Sequence, residues 1–146
     1  MKASIGGSML LYIVLFFVSI VILFFVGIIA YTKAYRVKNR IVNIIEENGG
    51  YTADLKATID GELKKYGYLT TKVSVDCKKA SSHSNSTCEN LPAGQYKYCI
   101  CHTTHNSGTV YEVITYTQFD IPLIGGILSN AVHGETKTLG VSYDYR

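Results

Sequence analysis

The segment Met9–Tyr31 reads MLLYIVLFFVSIVILFFVGIIAY, and it decides the fold. The chain carries no charged residue between Lys2 and Lys33. At about 1.5 Å per residue, a helix of this length spans roughly 34 Å, which is enough to cross the hydrocarbon core of a bilayer. The stretch is also longer than the apolar core of a secretory signal peptide. We therefore predict an uncleaved transmembrane helix, which excludes an ordinary soluble cytosolic enzyme.

The rest of the chain is long enough for one small domain. Of the 146 residues, 47% are apolar and 17% are charged, which is typical of a folded chain. The net charge is +3, but the residues after Arg40 are acidic on balance, so the sequence does not favour a nucleic-acid partner. We predict a leader or tail at 1–8, a transmembrane helix at 9–35 and a small α+β head at 36–146.

The first helix is predicted to continue beyond the membrane. No proline interrupts the chain before Gly49 and Gly50, which favour a helix end. The apolar residues of the second half follow the spacing of one helical face, namely Val37, Ile41, Ile44 and Ile45. We therefore expect one helix of about 40 residues, with an apolar first half and an amphipathic second half.

A second helix and several strands are predicted to complete the head. Leu55, Ile59 and Leu63 repeat every four residues and predict a short helix over 52–66, closed by Gly67. Strands are then predicted at 69–77, 95–103, 109–119 and 133–145, with a loop rich in Ser and Asn at 78–92. The fold class is thus α+β, with a long amino-terminal helix and a short helix packed on a small antiparallel sheet.

Two signals oppose each other on the orientation of the head. The basic residues directly after the apolar segment favour a cytoplasmic head by the positive-inside rule. The four cysteines, however, are clustered in a small domain, which predicts disulfides and an oxidising compartment. Because Lys and Arg side chains also snorkel at the headgroup layer, we favour a single-pass protein of the cell membrane with an extracytoplasmic head.

The candidate disulfide residues are Cys77, Cys88, Cys99 and Cys101, which allow three connectivities. Cys99 and Cys101 share one face of a predicted strand, so they are poorly placed to bond each other. A hairpin between 69–77 and 95–103 would bring Cys77 near either of them. We favour Cys77–Cys101 enclosing Cys88–Cys99, which would pin the loop between the strands.

Other chemistry at the cysteines has weaker support. A zinc site would combine them with His83, His102 or His105, but the spacing contains no Cys-x2-Cys pair. The stretch from Cys99 to His102 is one residue shorter than a haem-attachment motif. No hydrolase, metalloprotease, phosphate-loop or dinucleotide motif in a suitable context occurs. We predict no enzymatic activity, no cofactor, no metal site and no small-molecule substrate.

An apolar connector, IPLIGGIL, is predicted at residues 121–128. It either tucks beneath the sheet or lies exposed against lipid or a neighbouring subunit. Its candidate contact residues are Ile121, Pro122, Leu123, Ile124, Ile127 and Leu128.

The architecture resembles type IV pilin-like proteins and, more narrowly, the TadE-like minor pilins of tight-adherence pili. The similar features are the apolar segment, the continuation AYRVKNR at Ala34–Arg40 and the segment FDIPLIGGILSNAVHGETKT at Phe119–Thr138. The resemblance implies a non-enzymatic subunit of a surface filament or secretion assembly. Its expected partners are the lipid bilayer and other pilin-like or assembly-machinery subunits.

Two alternatives remain open from the sequence. One is a single-pass envelope accessory protein, or a membrane-tethered binding protein, with no role in a filament. The other is a membrane-tethered metal or redox protein that uses the cysteines.

Overall fold

The computed structural model describes residues 2–68, 76–89, 98–121 and 126–140, with the backbone alone for 2–6, 118–121 and 126–129. Within these ranges the helices are α1 (Lys2–Glu47), α2 (Ala53–Lys65) and α3 (Cys77–Ala80). The strands are β1 (Thr87–Cys88), β2 (Tyr98–His105), β3 (Gly108–Ile121) and β4 (Gly126–Glu135). They form an antiparallel sheet in the order β1-β2-β3-β4. The predicted α+β class is confirmed.

Helix α1 is continuous over 46 residues. It ends just before Gly49 and Gly50, which confirms the predicted helix end. Gly49 has a φ of 67°, a left-handed conformation that favours glycine. The N–H groups of Gly49 and Gly50 donate to carbonyls of the last helical turn at 3.2 and 3.0 Å. Gly67, with a φ of 58°, closes α2 in the same way. Both helix ends are therefore Schellman motifs that satisfy otherwise orphaned carbonyls.

One face of the sheet is covered by the second half of α1 and by α2. The predicted apolar face of α1 and the predicted repeat of α2 are both buried, which confirms the two amphipathic patterns. These side chains form one core with residues of the two central strands, among them Tyr98, Ile100 and Val113. The head is thus held to α1 by apolar packing between a helix pair and a sheet.

The opposite face of the sheet is covered by α3 and the residues that follow it, which lead into the edge strand β1. Along β2 the side chains alternate, so Tyr98 and Ile100 face the helices. Cys99 and Cys101 face the other side, where they pack with Ile114 and Tyr116 of β3. The predicted common face of Cys99 and Cys101 is confirmed.

Two predicted irregular segments contain regular structure. The predicted loop 78–92 includes most of α3 and all of β1, and Cys77 begins α3 rather than ending a strand. The predicted connector 121–128 is wrong at both ends. Ile121 belongs to β3, whereas Ile127 and Leu128 belong to β4 and pair with Asp120 and Phe119. Strand β4 therefore begins at Gly126 instead of at 133. Residues 69–75, 90–97, 122–125 and 141–146 of the predicted elements lie outside the described residues.

A buried lysine lies between α1 and β4. Lys38 is only 9% exposed, and its ammonium group lies 4.2 Å from the centroid of the Tyr35 ring, a cation–π contact. A Cβ atom added to Gly134 would lie 2.5 Å from Cδ of Lys38. The absence of a side chain at Gly134 therefore makes room for the stem of Lys38 and allows α1 to lie close to β4.

We expect Gly134→Ala to destabilise the head by about 1–3 kcal/mol, because the added methyl group overpacks a filled contact. Replacing Lys38 by Ala in the same chain should recover most of this loss by removing the atoms that the methyl group meets. Thermal unfolding of the full chain in detergent micelles, followed by circular dichroism, measures both effects.

Gly140→Ala is the matched control, since a Cβ atom there meets nothing within 4 Å. Equal effects of the two glycine substitutions, or a Lys38→Ala background that leaves the Gly134→Ala loss unchanged, would contradict the close contact.

Candidate functional site

The first half of α1 is bare. Every residue from Gly7 to Val26 is exposed, and the large apolar side chains in this stretch keep 44–72% of their surface. Within the described residues, α1 is the one helix that is long and apolar enough to cross a membrane. Soluble proteins rarely leave so large an apolar surface uncovered.

The junction between this bare half and the head carries aromatic and cationic side chains. Tyr31, Tyr35 and Tyr66 are each about half exposed. The rings of Tyr31 and Tyr35 stack at 6.4 Å between centroids. Lys33 and Arg36 lie on the same stretch of α1 and are also exposed. Tyrosines and cations collect at membrane–water interfaces, and we call these five residues the junction surface.

Some of the cations near the junction surface pair with a carboxylate, and others do not. The Glu62 carboxylate pairs with Arg40 at 3.4 Å and with Lys65 at 2.5 Å. The hydrogen bond from Lys65 is the main cause that lowers the pKa of Glu62. Among the described side chains, no carboxylate forms an ion pair with Lys33 or Arg36. The junction surface is therefore a cationic site with no acidic partner in the described part of the chain.

The four candidate cysteines form two disulfides, Cys77–Cys99 and Cys88–Cys101. The candidates were right, but the favoured connectivity is wrong. Cys88 lies directly opposite Cys101 in the β1–β2 register, with 3.9 Å between their Cα atoms. Cys77, at the start of α3, bonds Cys99 across 5.5 Å between Cα atoms. The prediction failed because it did not include β1, whose register places Cys88 opposite Cys101.

A buried carboxylate fastens the disulfide-bonded segment to the sheet. The side chain of Glu112 on β3 is only 3% exposed. It accepts hydrogen bonds from the Ser81 hydroxyl at 2.6 Å, from the Ser82 backbone N–H at 3.1 Å and from the Ser82 hydroxyl. His133 Nδ1 lies 3.0 Å from the same carboxylate. Because an ionised carboxylate only accepts, Nδ1 is the protonated ring nitrogen.

The hydrogen bonds decide the charge state of Glu112. Burial by itself raises the pKa of this carboxyl group, but the bonds from Ser81, Ser82 and His133 outweigh burial and hold the pKa at about 2. Ser82 and His133 both donate to Glu112, whereas in a catalytic triad the histidine stands between the serine and the acid. This cluster therefore serves to fix the segment on the sheet.

The sequence analysis missed Glu112 and its partners. One signal could have identified Glu112. It is the single Glu in a strand rich in Val, Thr and Tyr, at a position whose side chain the alternation of the strand turns inward.

The predicted apolar contact residues are only partly described. Pro122, Leu123 and Ile124 lie outside the described residues, and only the backbone of Ile121, Ile127 and Leu128 is described.

Comparison with protein-family models, with curated proteins and with solved structures finds no match to this chain. Its function is therefore inferred from the arrangement of its own residues.

The connectivity can be tested with paired serine variants. We expect the double variant Cys77→Ser/Cys99→Ser to contain no free thiol, because Cys88 and Cys101 still bond each other. The variant Cys77→Ser/Cys101→Ser should contain two, since Cys88 and Cys99 have both lost their partners. Alkylation under denaturing, non-reducing conditions followed by intact mass measurement counts the thiols, and the reversed pattern would refute the observed pairing.

Glu112 should make stability depend on acidity. Its pKa in the folded chain is about 2 and lies below the ordinary value of 4.5, so its contribution is present above pH 4.5 and is lost as the pH falls toward 2. A shift of this size corresponds to about 3 kcal/mol. We expect Glu112→Gln to destabilise the head at neutral pH and to flatten the acid limb of a stability–pH profile measured in micelles.

Glu135→Gln is the matched control. Glu135 also pairs with a histidine, His83, at 3.0 Å, but half of its side chain is exposed. Such an exposed pair contributes about 0–1 kcal/mol, so this variant should keep the acid limb of the parent chain. An unchanged acid limb in Glu112→Gln would contradict the assigned role.

Proposed function

We propose that this chain is a non-enzymatic, membrane-anchored, pilin-like subunit of a surface filament or secretion assembly, with its head on the extracytoplasmic side. One observation carries the proposal. A single uninterrupted helix is bare and apolar over its first half and packed on an antiparallel sheet over its second half.

The bare half of α1 supports anchoring in a bilayer. Exposing apolar surface to water costs a free energy of about 25 cal/mol per Å². This stretch exposes a large apolar side chain at almost every position. Lipid removes that cost, because an α-helix satisfies its own backbone hydrogen bonds. The same bare surface is available to other spans when several copies associate, as a filament subunit requires.

The disulfides support the extracytoplasmic side. All four cysteines of the chain are paired in the structure, and such bonds persist in oxidising compartments. A metal or redox protein of a reducing compartment would need these thiols free. We therefore favour the structural role over the reading in which the cysteines bind metal or exchange electrons.

The firm attachment of the head to α1 supports a role in an assembly. Besides the apolar core, the Thr115 hydroxyl donates to the Ala34 carbonyl at 3.1 Å in a buried position. Because the helix has no break between its two halves, packing of the spans would also fix the positions of the heads. This is the property that a repeating subunit needs.

The stiffened segment 76–89 favours a second candidate, a membrane-tethered binding protein without a filament. Two disulfides and the Glu112 hydrogen bonds hold this segment, while His83 and Asn85 within it are exposed. Rigidly held loops are common binding surfaces.

Fractionation in the native host tests these proposals. We expect the protein, carrying an epitope tag after Arg146, to resist alkaline carbonate extraction, since its span lies in lipid. The tag should be cut by protease added outside the cytoplasm, and mechanical shearing should release the protein with surface material.

Each result that differs from these expectations would overturn a different part of the proposal. Extraction by carbonate would overturn the anchor, and a protected tag would overturn the orientation. A protein that resists carbonate but stays with the cells after shearing would refute the surface filament and leave the secretion assembly and the tethered binding protein.

A further inference from the structure

We infer that a groove at the junction surface binds the headgroup of an anionic phospholipid, an assignment that rests on the proposed membrane anchor. The groove lies between α1 and the end of α2 and has a volume of about 430 Å³. This volume is within the usual range of small-molecule sites. Its lining residues are Ile28, Ile29, Thr32, Lys33, Arg36 and Tyr66.

The charge of the groove selects an anion. Lys33 and Arg36 are three residues apart, so they lie on one side of α1. The nearby carboxylate of Glu62 is already engaged by Arg40 and Lys65. The groove therefore contains two cations and, within the described residues, no acidic side chain.

The ammonium group of Lys33 lies close to the end of α2. A Cβ atom on Gly67, the residue that closes this helix, would lie 3.7 Å from the Lys33 ammonium nitrogen. The carboxyl end of a helix carries a partial negative charge that attracts a cation. The ammonium group of Lys33 therefore lies near both this helix end and the groove.

The shape of the groove selects a lipid over a free phosphate. Ile28 and Ile29 lie one to two turns nearer the bare half of α1 than the two cations do. A phosphodiester bound at Lys33 and Arg36 would thus point its acyl chains along the isoleucines and onto the apolar span. Tyr66, which is 44% exposed, also lines the groove. An inorganic phosphate would leave the apolar wall uncovered.

Lipid retention tests the site. The full chain is inserted in vesicles of phosphatidylcholine and phosphatidylglycerol, extracted into mild detergent and weighed by native mass spectrometry. We expect bound phosphatidylglycerol to exceed phosphatidylcholine by roughly thirtyfold, the ratio expected from two cations near an anionic surface. Lys33→Gln/Arg36→Gln should bring that ratio close to one.

Lys78→Gln/Lys79→Gln is the matched control, because it removes the same charge from the exposed α3 on the other side of the sheet. It should keep the preference of the parent chain. Equal retention of the two lipids by the parent chain, or an equal loss of preference in both double variants, would overturn the site.

Two further measurements separate the remaining outcomes. Soluble glycerophosphoglycerol should not displace the bound lipid, and displacement would mean that the groove recognises the phosphate alone. Flotation of the vesicles should carry the parent chain and both double variants. A parent chain that does not float would refute the membrane anchor itself, whereas one that floats without lipid preference refutes only the groove.

Discussion

The packing of the second half of α1 against the sheet is the contact on which the rest of the structure depends. Val37, Ile41 and Ile45 are almost fully buried there, and the side chain of Lys38 fits against Gly134, where no Cβ atom is present. This contact joins two environments in one helix, because the residues before it are bare and those within it are covered. Without it, the apolar face of the sheet and the apolar face of the helix would both be exposed to water.

The two faces of the sheet are held by different chemistry. The face toward α1 and α2 is an apolar core of aliphatic and aromatic side chains. The opposite face is covered by a short segment with little apolar surface, which two disulfides and the Glu112 carboxylate fasten in place. A small head has limited apolar area to bury, so cross-links of about 2–4 kcal/mol each are a substantial part of its stability.

The helices could be predicted from the sequence because their apolar residues repeat at a regular spacing. The contacts between residues far apart in the chain could not be predicted. The helices were predictable because Val37, Ile41 and Ile45, and likewise Leu55, Ile59 and Leu63, mark one face at helical spacing. Strand β1 has two residues and no period, so the register that joins Cys88 to Cys101 was hidden, and the connectivity was wrong. Glu112 and Ser81 are 31 residues apart, and no local pattern connects them. The resemblance to pilin-like proteins stays a prediction.

Helix α1 has no break between its bare half and the half that packs on the sheet. Transmembrane helices tilt by about 20° on average, and a helix that continues unbroken into the head passes every degree of tilt to it. A change in bilayer thickness, or in the crossing angle between neighbouring spans, would therefore swing the disulfide-braced segment through an arc above the lipid. If the first half of α1 spans a bilayer, as we propose, the direction in which that segment points would thus be set from within the lipid.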